Sequence, residues 1–314
     1  MKIMLKTYRL RDRQLIETNG GTRGANLILM SNPTTQEREH VCAQLNLEPI
    51  TFDYANSAEE VSRFHRLYSD RMPDAYLLVV YDFIATRKTI EDQLSPAIMI
   101  FNQHQLLVCT ADWSSAREVI SHHLDESDQP LQLVNHLVNY WQDHLMDGLR
   151  AYKPEIDRLD QAANATIENQ ELRELTDLTR QLVFFEHTMD DQSSALMAFT
   201  NSLQANRLDS TEVQTMQTKQ RRLNKMIHIC RDLLESISGL FLGMMDNNLN
   251  HLMKFLDSAG LIIAIGALVT GLMGMNVGGI PWKNDVYGFW IIFAVIILAL
   301  LVAIHYLKNK DYSK

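Results

Sequence analysis

Apolar residues recur along this chain first at two-residue steps, then at three- and four-residue steps, and finally almost without interruption. Four short β-prone runs come early: ANLILMS (25–31), AYLLVVYDF (75–83), PAIMIFN (96–102) and QLLVCTA (105–111). Bounded by turn formers and rich in branched residues, such runs predict buried strands. Asn102-Gln103-His104-Gln105 reads as the hairpin between the last two. TTQEREHVCAQLN (34–46) opens on a threonine able to cap a helix, and SAEEVSRFHRLYSD (57–70) is helical by period. The pattern predicts an α/β domain with a mixed sheet over residues 1–128.

From Pro130 the β signals stop. Residues 131–170, 171–204 and 210–250 repeat apolar positions at helical spacing, predicting three helices far longer than the roughly 11-residue globular average. Over residues 129–255 the expectation is a long-helix stalk or bundle. The hydropathy then changes. LDSAGLIIAIGALVTGLMGM (256–275) carries one charge, and GFWIIFAVIILALLVAIHYL (288–307) carries none unless His305 is protonated. Each matches the ~20 residues needed to cross a bilayer. Trp282, Tyr287 and Trp290 sit where an aromatic belt would. The tail 308–314 holds Lys308, Lys310 and Lys314, so the positive-inside tendency places both termini in the cytoplasm and the loop 276–287 outside. The class is thus an α+β membrane protein, multi-pass in the cell membrane.

The third long helix runs into the first span with no proline. Stepping along it by four and three, the heptad spacing, gives Gly239, Gly243, Asp246, Asn250, Met253, Asp257, Gly260, Ala264, Ala267, Gly271 and Gly274. All are small, polar or methionine. Such a stripe permits close packing of two membrane helices. It also suits identical helices arranged around a wet axis, where small side chains leave room and Asp246, Asn250 and Asp257 offer oxygens to a cation. Asp257, ionisable at the edge of a span, favours the second arrangement because it is costly against lipid; the alternative is that it sits at the membrane interface and binds nothing.

Charge and cysteine narrow the classes. The chain has a formal net charge of −9, and from Leu256 onward four lysines face three aspartates, so the acidic excess lies before the spans. That argues against nucleic-acid binding. Cys42, Cys109 and Cys230 form no CxxC pair, which suits a reducing compartment and no disulfide framework. The sequence offers no glycine-rich phosphate loop, nucleophile elbow or clustered metal ligands, so enzyme chemistry and a bound cofactor are not expected. His122-His123, and His136 with His144, lack the spacing and carboxylate partners of a metal site.

The gap GLMGMNVGGIPWKND (271–285) between the spans is almost uncharged. Where several chains meet, Asn276 would form a ring of neutral oxygens, and Gly274 would let the backbone turn and expose its carbonyl. Mg²⁺ keeps its water and is usually bound through it. A ring of carbonyl dipoles can recognise the hydrated ion without trapping it.

Gly274-Met275-Asn276 after the first of two C-terminal spans resembles the signature of the CorA family of divalent-cation channels, and NNLNHLMKFL (247–256) is similar to that family's entry into the membrane. The resemblance covers essentially the whole chain. It implies a homopentamer with a funnel-shaped cytoplasmic part. Gly274, Met275 and Asn276 would be the selectivity site, Met253 and Leu256 a narrow apolar neck, and Asn250 a polar lining residue. Asp257, Gly260, Ala264, Ala267 and Gly271 would line the conduit above. Mg²⁺ is the implied cargo, with Co²⁺ or Ni²⁺ as companions, and a regulatory ion on the acidic helices. Asp157 and Asp160, or Asp209 and Glu212, are conceivable sites for that ion, although solvated helix faces explain them better. Val277-Gly278-Gly279-Ile280-Pro281 departs from the acidic loop of the magnesium pattern and is similar to the zinc-transporting ZntB branch. A Zn²⁺ transporter is therefore the alternative, although Zn²⁺ favours softer ligands. A membrane-anchored scaffold or signalling protein is the remoter alternative, and it has no need of the stripe.

Overall fold

Strict alternation along the central strands decides which side chains face which layer. The computed structural model describes residues 5–11, 14–18, 24–52, 55, 57, 59–124, 129–163, 169–202, 208–275 and 286–309. Its strands are β1 Leu5–Arg11, β2 Gln14–Glu17, β3 Leu27–Ser31, β4 Phe64–Leu67, β5 Ala75–Phe83, β6 Leu94–Phe101 and β7 Leu106–Thr110. Its helices are α1 Thr35–Leu45, α2 Ile90–Gln93, α3 Trp113–His123, α4 Pro130–Arg150, α5 Lys153–Ala163, α6 Asn169–Thr200, α7 Ser210–Met273 and α8 Gly288–Asn309. The seven strands form one mixed sheet in the order β2-β1-β3-β7-β6-β5-β4, with β3 and β7 parallel and the other pairs antiparallel.

Ala97, Met99 and Phe101 of β6 lie on one face of the sheet with Leu27, Leu78 and Val108, packed against α3 and α4. Ile98 and Ile100 point the other way, into a second cluster with Val41, Leu45 and Phe52 around α1. Successive strand residues face opposite sides, so one strand serves two cores. The four strand runs read from the sequence are β3, β5, β6 and β7, and Asn102 donates its N–H to Gln105 O (3.0 Å) at the expected hairpin. Helix α1 starts as its sequence dictates. Thr34 accepts from Glu37 N while the Glu37 carboxylate accepts from Thr34 N at 2.8 Å, a reciprocal capping box.

Three local expectations differ from the structure. Residues 64–67 form strand β4 rather than part of a helix, because they pair with β5 from Phe64↔Leu78 to Leu67↔Ala75 at the sheet edge. Tertiary pairing overrides a short helical period. The first long helix is two, α4 and α5, parted at Ala151–Tyr152. Pro154 explains the break: it has no N–H, and its ring opposes the carbonyl four residues back. The antiparallel pair β1 and β2 at the chain start was not foreseen, since its exposed β2 carries little apolar signal.

The chain divides into two compact units, residues 1–164 with 168–236, and residues 165–167 with 237–314. The boundary falls inside α7, which is helical throughout its 64 residues.

Candidate functional site along helix α7

Helix α7 is preceded by Asp209, whose backbone N–H donates to Glu212 Oε2 (3.2 Å), half of a capping arrangement. Its buried positions are Met216, Gln220, Leu223, Ile227, Cys230, Leu234, Ile237 and Phe241. Their spacing alternates four and three, a heptad seam. It gives the apolar repeat expected over residues 210–250 its buried positions, with Gln220 as the one polar member.

The stripe that begins at Gly239 lies on another face. Asn250, Met253, Leu256, Asp257, Gly260, Ala264, Ala267 and Gly271 are all exposed, Met253 and Leu256 at 57% and 60%. A Cβ built at Gly239, Gly243, Gly260 or Gly271 would meet no atom within 4 Å. Beyond residue 256 the partly buried positions of α7 are Ser258, Ala259, Ile262, Ile265, Gly266, Val269 and Met273. At about 100° per residue they centre on the side of the helix opposite the stripe. Helix α8 has its own partly buried row at Ile292, Ile296, Ala299, Ala303 and Leu307. Leu261 and Ile265 of α7 share an apolar groove of about 570 Å³ with Val295, Leu298, Ala299 and Val302 of α8. The stripe is therefore not the face used against α8. Both helices are long and apolar enough to cross a membrane.

Within the apolar stretch the one threonine is satisfied locally, as Thr270 Oγ1 donates to Gly266 O (3.0 Å) and Ala267 O (3.1 Å). The helix closes at Gly274, whose N–H donates to Thr270 O (2.9 Å). Met275 follows, exposed. Asn276 and residues 277–285 lie outside the described residues, so Gly274 and Met275 are the members of the expected selectivity site that the structure places. They stand at the end of the stripe.

The other singled-out residues are dispersed. Asp157 and Asp160 lie on the exposed face of α5, while Ile156 and Leu159 point inward. His123 stacks on His136 with ring centroids 3.9 Å apart. His144 lies apart from them and donates from Nδ1 to Asp82 Oδ1 at 2.9 Å. That hydrogen bond holds the His144 pKa above its usual value against the opposing effect of burial. Burial also pushes Asp82 up, because desolvation of a nearly enclosed carboxyl outweighs the help from His144. Among the described residues no cluster of three or more His, Cys, Asp or Glu side chains could hold a metal ion.

A family model described as "CorA-like Mg2+ transporter protein" matches residues 25–309. The chain belongs to this CorA-like family. CorA-like proteins are transporters rather than enzymes. A cobalt/magnesium transport protein CorA of Methanocaldococcus jannaschii is 20% identical over 182 residues, a stretch covering 57% of this chain and 57% of that protein. The solved CorA magnesium transporter of the same organism superposes with a TM-score of 0.79 at 16% identity, covering 99% of both chains. The full-length CmaX protein gives 0.72 at 12% identity over 98% of this chain and 97% of its own. The ZntB cytoplasmic domain of Vibrio parahaemolyticus gives 0.62 at 13% identity, covering 79% of this chain and all of that one. The CorA-like fold thus extends over the α/β domain, the long helices and the two apolar helices.

Proposed function

We propose that this chain is a divalent-cation transporter of the cell membrane, with Mg²⁺ its principal cargo, working as a homopentamer with both termini in the cytoplasm. One observation carries the reading. The small and polar stripe of α7 is exposed from Gly239 to Gly274 and avoids the side turned to α8. Five copies of α7 with stripes inward would enclose a wet axis. Asn250 and Asp257 would offer oxygens along it, Met253 and Leu256 would narrow it, and Gly274-Met275-Asn276 would form its neutral outer ring. A neutral ring suits a strongly hydrated ion, which can be oriented through its water and released. The membrane potential supplies roughly 2.3 kcal/mol per charge per 100 mV, so about twice that for a divalent ion moving inward. The chain need perform no covalent chemistry.

A Zn²⁺ cargo is the second reading, favoured by the Val277-Gly278-Gly279-Ile280-Pro281 sequence, whose resemblance is to the ZntB branch. One experiment separates the two. Purified protein is reconstituted in liposomes, and uptake of Mg²⁺, Co²⁺, Ni²⁺ and Zn²⁺ is compared for the native chain and Asn276→Ala. The expected result is potential-driven Mg²⁺ uptake, with discrimination among the ions reduced by Asn276→Ala. Zn²⁺ uptake without Mg²⁺ uptake would establish the second reading, and no uptake of any of the four would sink both.

A further inference from the structure

The heptad seam of α7 is apolar except at Gln220, which is 4% exposed. A repeating apolar seam offers several registers of similar energy, whereas one buried polar residue with specific partners admits only one. Gln220 has such partners on two other helices. Its Oε1 accepts from Gln142 Nε2 of α4 (3.2 Å) and from Gln192 Nε2 of α6 (3.0 Å). Its Nε2 donates to Met189 O of α6 (3.1 Å) and to Asn224 Oδ1 one turn along α7 (3.0 Å). Both donor hydrogens and both acceptor positions of the amide are thereby used.

The network continues outward. Gln142 Nε2 also donates to Met216 O of α7 (3.1 Å). Gln192 Oε1 accepts the backbone N–H of Tyr81 on β5 at 2.7 Å. That N–H lies beyond the end of β4, whose pairing with β5 covers residues 75–78, so the side chain of Gln192 replaces a missing strand. Gln142 and Gln192 are both 1% exposed. Gln142 Oε1 finds no hydrogen-bond partner, so the cluster is not arranged for maximal stability.

We infer that Gln220 is a positioning residue for transport: with Gln142 and Gln192 it fixes the axial and rotational register of α7 against α4, α6 and the sheet. Helix α7 is continuous from Gln220 to Met273, so a slip at Gln220 is carried along the same helix toward Gly274 and Met275. The link to transport rests on the function proposed above; the register claim does not.

The two parts are tested separately on the full-length protein in liposomes. Spin labels are placed on cysteines introduced at Thr176 of α6 and Thr215 of α7, both exposed, while the native cysteines are buried. Labelled chains are diluted with unlabelled ones so that distances within one protomer dominate. In the native background a single narrow distance is expected. Gln220→Leu keeps the seam apolar and should broaden that distribution or shift it by about one helical turn, ~5.4 Å. Mg²⁺ uptake per folded protein should fall roughly 2- to 30-fold. Leu223→Ala, a cavity in the same seam, is the control for loosened packing. It should lower thermal stability while leaving the distance narrow.

An unchanged distance in Gln220→Leu, or an equal change in Leu223→Ala, overturns the register claim. A shifted distance with native uptake overturns the link to transport. Should Gln220→Leu fail to fold, Gln142→Leu removes the α4 arm alone and must still widen the distance for the claim to stand.

Discussion

His144 of α4 and Asp82 of β5, 62 residues apart in sequence, meet through a 2.9 Å hydrogen bond between Nδ1 and Oδ1. Both groups have pKa values above their ordinary ones in the folded protein. The fold therefore holds protons there that the unfolded chain releases. The His144 contribution is complete below the ordinary histidine pKa of about 6.5 and disappears as pH rises through the raised His144 value. Asp143 and Asp147 on the same helix reinforce the His144 shift. Thermal melts of the native chain and His144→Gln between about pH 6 and about pH 8.5 should show a gap that narrows toward the alkaline end. A gap independent of pH would show that the pair does not titrate in this range.

Gly148 is the second element of the same helix that the sheet constrains. A Cβ there would lie 2.4 Å from Phe83 Cδ1 and 2.5 Å from Cγ and Cε1. The ring cannot retreat freely, because Phe185 lies against it with centroids 6.2 Å apart. Gly148→Ala gains up to about 1 kcal/mol in helix propensity. Overpacking of about 1–3 kcal/mol outweighs that gain. The expected outcome is a lower melting temperature for Gly148→Ala, partly restored by Phe83→Leu in the double variant. A single variant as stable as the native chain would mean that the helix and sheet part readily at this point.

A side chain at Gly260 should affect cargo rather than the chain itself. The position is open within one protomer, and leucine is the better helix former by somewhat less than the ~0.8–1 kcal/mol that separates glycine from alanine. Gly260→Leu should leave thermal stability unchanged or higher and reduce Mg²⁺ uptake by on the order of tenfold or more if the stripe surrounds the path. Leu301→Phe, at a comparably exposed position on α8, should transport normally. Native uptake by Gly260→Leu would remove the stripe from the path.

The sequence revealed what depends on local pattern. The central strands announced themselves by short branched runs, Thr34 and Glu37 by their three-residue spacing, and the stripe by its heptad step. Pairings over long separations stayed hidden. Nothing local distinguishes Phe64–Leu67 from a helical turn until β5 lies beside it. His144 and Asp82 carry no mutual spacing signal. Gln220 was readable in principle, since it stands in the heptad frame of Leu223, Ile227 and Cys230. Its meaning depends on Gln142 and Gln192, which the chain brings together from 78 and 28 residues away. Asn276, the residue on which ion choice turns in the proposal, lies outside the described residues.

The division between the two compact units passes through the middle of a hydrogen-bonded helix, between Ser236 and Ile237. Severing the chain there would strand four amide hydrogens on one fragment and four carbonyl oxygens on the other. Domains are commonly shuffled, nicked or inserted at exposed connecting segments. The junction at Ser236–Ile237 offers none, so a fragment that begins or ends there inherits an unfinished helix end and loses the hydrogen bonds that close it.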